Sequence, residues 1–84
     1  MNIEERARKI VQGDRQRAYG SPERSQERIA ALWGAYLGVP VKSTDVCNMM
    51  CLLKLARLKN TPDHEDSKVD LIGYALLHDI ITGR

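Results

Sequence analysis

Apolar side chains recur at helical spacing in four stretches of this chain, separated by breaks containing Gly, Pro and Ser. No stretch alternates with the two-residue period of a strand, and neither a repeat nor a low-complexity tract is present. The first helix takes Asn2 as its cap, with Glu5 placed to reach back to it, and Ile3, Ala7, Ile10 and Val11 form its apolar stripe. Gly13 weakens the middle; the helix runs on through Arg15 and Arg17 or breaks there, and it ends by Tyr19-Gly20. Ser21-Pro22 restarts it, because Ser caps, Pro fits the first helical position and Glu23 complements the dipole. In this second helix Ile29, Leu32, Trp33, Tyr36 and Leu37 fall at i, i+3, i+4, i+7 and i+8, which predicts one buried face. Gly38 and Pro40 stop it.

The third helix starts near Ser43 or Thr44, carries Asp45 in its first turn and ends near Asn60. Its stretch from Val46 to Leu58 is apolar nearly all the way round, the mark of a central helix with neighbours on several sides. Pro62, with Thr61 or Asp63 as cap, opens a fourth helix whose Val69, Leu71, Ile72, Ala75, Leu76, Ile80 and Ile81 are expected to pack inward before Gly83 ends it. A short connection makes the third and fourth helices an antiparallel hairpin. The predicted fold is all-α: a compact bundle of about four helices, forming one domain over residues 1–84. A chain this short buries only about 60–65% of its unfolded surface. Part of the third or second helix is therefore expected to be closed by another subunit, making the protein a homo-oligomer.

Composition narrows the function classes. Thirteen basic and 11 acidic side chains give a net charge of +2, too near balance for bulk attraction to nucleic acid. The first two-thirds of the chain is mildly basic and the last third acidic, as solvated helix faces often are. The charged first 20 residues contain no apolar core of a secretory signal, and the longest apolar run is far below the ~20 residues that span a bilayer. A cytoplasmic protein with no membrane partner is expected. Cys47 and Cys51 share a helix face without forming a redox or metal motif and read as buried free thiols. His64 and His78 are too isolated for a zinc site, and no serine is spaced for a nucleophilic relay. No P-loop or dinucleotide-binding glycine motif occurs. Neither a metal nor a cofactor is implied.

The exception to an apolar hairpin is a polar set: Lys54 and Arg57 on the third helix, then Asp66, Asp70 and Tyr74 on the fourth. Lys54 and Arg57 share a face by their spacing, as do Asp66, Asp70 and Tyr74. One reading is structural, with Arg57, Asp66 and Asp70 paired across the hairpin to fix how the helices dock. The other is a binding pocket, with Lys54 and Arg57 donating to a phosphate, Asp70 orienting Arg57 or accepting from a base or ribose, and Tyr74 offering a ring. Both can be true together. A second candidate anion site is the turn into the second helix, where Arg15, Arg17, Arg24 and Arg28 surround Tyr19-Gly20-Ser21 at a helix N-terminus.

Tyr19-Gly20, Ile29-Ala-Ala-Leu-Trp33, Leu37-Gly38, Lys54-Leu-Ala-Arg57-Leu and Asp66-Ser-Lys-Val-Asp70-Leu-Ile-Gly73-Tyr74-Ala occur in order across about residues 13–77. Together they resemble a family of small uncharacterised helical proteins of tailed phages and prophages. More distantly, they are similar to the phage nucleotide-modification-associated domain. The resemblance implies a phage protein acting in an infected bacterial cell, with a small nucleotide as ligand. The chain is also similar in size, helical content and basic polar groups to oligomeric phage sponges that sequester cyclic-nucleotide or ADP-ribose-derived immune signals. On that reading it binds without catalysis, Lys54 and Arg57 with Arg15, Arg17 or Arg24 contact phosphates, and Tyr19 or Tyr74 stacks on a base. The alternative is an all-α nucleoside triphosphate pyrophosphohydrolase of the MazG or dimeric dUTPase type. Lys54 and Arg57 stand where that pattern carries its first acidic motif. A third reading is a helical interaction module of a phage complex.

Overall fold

The computed structural model describes residues 1–14 and 21–83, which form four α-helices and no strand. Helix α1 (Ile3–Lys9) is capped by Asn2, whose Oδ1 accepts the Glu5 N–H at 2.8 Å, and it continues into a π-helical stretch, Ile10–Asp14. Helix α2 (Pro22–Leu37) begins at Ser21, whose Oγ accepts the Arg24 N–H at 3.3 Å, and ends at Gly38 in the left-handed conformation (φ 73°). Only a residue without Cβ takes that conformation cheaply. The chain then folds back over Gly34: a Cβ there would stand 2.9 Å from the Val39 carbonyl oxygen.

Helix α3 (Ser43–Asn60) opens with Asp45 accepting the Lys42 N–H at 2.9 Å. Helix α4 (Glu65–Thr82) starts later than Pro62 suggests. Its cap is His64, whose Nδ1 accepts the Ser67 N–H at 3.2 Å, and neither Thr61 nor Asp63 serves. Gly83 closes it with φ 79°.

The α3–α4 hairpin is the most extensive contact in the molecule; α1 lies across α4, and α2 packs on α3. Helix α3 turns Cys47, Met50, Cys51, Lys54 and Leu58 toward this contact, an i, i+3, i+4, i+7, i+11 stripe. Helix α4 buries Val69, Gly73 and Leu77, a stripe that faces Ala7, Ile10 and Val11, with Leu77 also meeting Cys47 of α3, while Leu71, Ile72, Leu76, Ile80 and Ile81 are half-buried and Ala75 is exposed. Val11, Cys47 and Leu77 form the centre of the core, flanked by Tyr74, Leu76, Ile80 and Ile81.

This core is made mainly of small side chains, with Leu77 its only fully buried leucine among the described residues. The larger apolar groups lie outside it. The stripe of α2 predicted to be buried is instead open: Leu32, Tyr36 and Leu37 are exposed, Ile29 and Trp33 half-buried. Only the first half of α2 is embedded, through Pro22, Ser25, Gln26 and Ala30. Helix α3 is likewise covered on one face and leaves Met49, Leu52, Leu53 and Leu55 exposed on the rest.

Candidate functional site

The polar set of the hairpin divides into three places. Lys54, 7% exposed, reaches from the core face of α3 to Asp70 on α4, with Nζ 2.9 Å from Oδ2. The pair sets the axial register of the hairpin: Lys54 and Asp70 lie equally far along the chain from Pro62. An ammonium taken out of water must be paired, and Asp70 supplies the charge while keeping one side in solvent.

Asp66 does not join this network. With Glu65 it holds Arg6 of α1, whose guanidinium nitrogens lie 2.9 Å and 3.0 Å from the two carboxylates. The expected Arg57–Asp66–Asp70 grouping is therefore corrected: Asp66 pairs with Arg6, Asp70 with Lys54, and Arg57 has no ion pair among the described residues. In the register that Lys54 and Asp70 fix, the position facing Arg57 across the hairpin is Ser67, which is neutral and buried.

Arg57 is exposed and lines a concavity of about 460 Å³ at the α3–α4 turn with Ala56, Asn60, Thr61 and His64. His64 caps α4 through Nδ1, which puts the imidazole proton on Nε2 and leaves that N–H as a donor. The Asn60 amide adds polar capacity beside it. A guanidinium, an imidazole N–H and an amide around one hollow suit an anion with several acceptor oxygens. Asn60 and His64 were not singled out from the sequence. The signal that could have found them is position, since both flank the turn beside an unpaired arginine.

Tyr74 stands elsewhere. It packs on the Val11–Cys47–Leu77 cluster and lines a second groove, about 560 Å³, with Asn48, Cys51, His78 and Asp79. The hairpin thus does not bring Tyr74 to Arg57. Arg24 is exposed on the first turn of α2, while Arg15, Arg17 and Tyr19 lie outside the described residues. Cys47 is buried, its thiol donating to Gln26 Oε1 at 3.8 Å. Cys51 is half-buried, and burial pushes its thiol pKa above the usual value, which keeps it protonated and a poor nucleophile. Gln26 is fully buried, and its Nε2 has no partner among the described residues. No three His, Cys, Asp or Glu side chains converge as a metal ion would need, among the described residues. No helix among them is long and apolar enough to cross a membrane.

Fold and site together define a small helical protein with an ion-paired hairpin and, at its turn, an arginine without an ion pair among the described residues. The chain belongs to the family described as a domain of unknown function, DUF6378, whose profile matches residues 2–82. It is 46% identical over 76 residues to the Gene 55 protein of Mycobacterium phage L5, covering 89% of this chain and 49% of that protein. Against the Gene 55 protein of Mycobacterium phage D29 it is 40% identical over 74 residues, covering 88% and 49%. The chain spans about half the length of these curated relatives. These matches bear out a phage protein family and show no link to a nucleotide-modification domain. No solved structure matches the chain.

Proposed function

We propose that this phage protein binds a small phosphorylated nucleotide and holds it without turnover, as a sponge for a cyclic-nucleotide or ADP-ribose-derived immune signal would. The observation that carries the reading is Arg57: exposed, free of any ion pair among the described residues, and set in a polar hollow with Asn60 and His64. A volume of about 460 Å³ is within the range of small-molecule sites, roughly 300–1,000 Å³. In this arrangement Arg57 takes a phosphate through paired N–H donors, the His64 Nε2–H adds another, and the imidazole face receives a base in place of Tyr74. Lys54 and Asp70 support the site from behind by fixing the hairpin, and do not contact the ligand. Arg24 and the arginines outside the described residues are not needed for this contact set.

The pyrophosphohydrolase reading has less support, because the two carboxylates it would draw on are each held by a cation: Asp66 by Arg6, Asp70 by Lys54. A magnesium site working on a triphosphate needs several oxygen ligands free to converge.

Calorimetric titration against cyclic dinucleotides, cyclic ADP-ribose isomers and deoxynucleoside triphosphates tests the proposal. At least one class should bind, and Arg57→Gln should weaken it about tenfold or more while leaving the melting temperature unchanged. Ligand recovered intact after incubation with magnesium supports sequestration, whereas a nucleoside monophosphate product restores the enzyme. Absence of binding by every class at high micromolar concentration rejects the reading. An interaction module is the second reading, favoured by the open apolar face of α2 and α3.

A further inference from the structure

The strongest feature the nucleotide reading leaves unexplained is the outer face of α2 and α3. Leu32 (65% exposed), Tyr36 (90%) and Leu37 on α2 and Met49, Leu52 (64%) and Leu53 on α3 are all exposed, and Tyr36, Leu37 and Met49 meet in one slot with Trp33. Met49, Leu52 and Leu53 fall at i, i+3 and i+4, so they share one side of their helix, directly opposite the core stripe. Taking ~200 Å² for a large apolar side chain, the six together leave roughly 700 Å² in solvent. The largest apolar patch on an ordinary monomer is roughly 300–600 Å².

Whole-molecule measures agree. The accessible surface is 5743 Å². A folded monomer of 9.5 kDa has about 5,000 Å². A standard interface takes about 800 Å² from each partner, which this face nearly supplies without any rim.

We infer that this face is covered by a second copy of the same chain, in a two-fold pairing of α2 and α3 with α2 and α3. The choice of occupant rests on self-complementarity. The face carries a slot of about 270 Å³, walled by Trp33, Tyr36, Leu37 and Met49, and the exposed Leu52 stands one turn along α3 from Met49. A two-fold axis brings the Leu52 of each copy to the slot of the other, as an isologous contact requires. None of the six side chains is charged, so the pairing sets no like charges against each other at its centre.

The pairing has a consequence at the α3–α4 turn, which rests on the nucleotide reading. The stripe of Met49, Leu52 and Leu53 runs on through Ala56 to Asn60, and both Ala56 and Asn60 line the Arg57 hollow. A copy docked on the stripe walls the open side of that hollow, so the ligand site is completed between subunits.

Sedimentation equilibrium of the 84-residue chain, at concentrations from micromolar to about 100 µM, reads the pairing directly. The expected mass is twice the 9.5 kDa of one chain. Leu52→Asp should return the single-chain mass with the helical circular dichroism retained, since the side chain is largely in solvent within one copy. Tyr36→Asp, at a still more exposed position, should do the same. A single-chain mass for the parent protein throughout this range overturns the inference and leaves the face to another segment or protein. A dimer that survives both substitutions overturns it too, because the contact then lies elsewhere. Arg57→Gln should keep the double mass whatever its effect on nucleotides, so a failed ligand reading does not disguise itself as a failed dimer. If both proposals stand, Leu52→Asp weakens nucleotide binding as well.

Discussion

At the scale of single residues, Lys54 is the least expected feature of this core. Helix α3 spends one of its inward positions on an ammonium, and the partner it finds is unequally buried: the Lys54 side chain is 9% exposed and that of Asp70 40%. This inequality gives the two halves of the pair different consequences when removed. Asp70→Ala strands a buried cation, and should lower stability by about 2–4 kcal/mol, toward the cost of breaking a buried pair. Lys54→Met replaces the cation with an apolar chain of similar length and leaves a carboxylate that solvent already reaches. It should change stability by less than about 1 kcal/mol in either direction. Urea unfolding of the two variants checks the difference. Equal losses would mean that the pair acts as an exposed bridge, and a larger loss for Lys54→Met would mean that the carboxylate is the stranded group. Arg6 shows the opposite case: its partners Glu65 and Asp66 are well exposed, and bridges of that kind contribute little, so its role is to orient α1 on α4 rather than to hold it.

At the scale of elements, helix ends were legible wherever a local rule applies. Asn2, Ser21-Pro22, Gly38 and Gly83 all do what their chemistry dictates, because a cap is decided by a few neighbouring atoms. His64 was missed as the α4 cap because an imidazole is not among the usual capping side chains, although its Nδ1 fills the same role as a Ser oxygen. The polar site was half legible for a related reason. Spacing reveals which residues share a helix face, and it found both the Lys54–Arg57 and the Asp66–Asp70–Tyr74 sets. It does not reveal which residues come to lie opposite across the hairpin or what a third helix contributes: Asp70 lies opposite Lys54, Arg6 of α1 takes Asp66, and Arg57 is left without an ion pair among the described residues. The α2 stripe shows a further limit: periodicity identifies an apolar face without saying what covers it. The return of the chain over α2 depends on one such unseen approach. Gly34→Ala gains about 1 kcal/mol of helix propensity. Against this, its Cβ meets the Val39 carbonyl oxygen at 2.9 Å, and a backbone oxygen that also accepts no flexible rearrangement makes overpacking the larger effect, about 2–3 kcal/mol. The net expectation is a melting temperature lower by about 5–10 °C. An unchanged or higher value would show that residues 39–41 yield, and that the glycine is not required there.

At the scale of the whole molecule, shape and stability point the same way. The radius of gyration is 13.1 Å, with principal extents of 38, 29 and 23 Å. A compact chain of this length has a radius near 12 Å. The second half of α2 and the outer side of α3 carry large apolar side chains that stand exposed. Such a chain keeps mainly small residues inside and leaves five of its nine leucines exposed, so one copy alone gains less from the burial that normally offsets chain entropy. If a second copy covers the face, unfolding and dissociation are linked, and stability depends on protein concentration. For a dimer of this size each tenfold rise in concentration adds about 1.4 kcal/mol per pair, which raises the melting temperature by about 3–5 °C. Scanning calorimetry over a hundredfold concentration range should show that slope for the parent chain and a flat line for Leu52→Asp. A flat line for both would mean that the small core and the α3–α4 hairpin suffice by themselves, and that the apolar face is kept for contacts this chain makes only after it has folded.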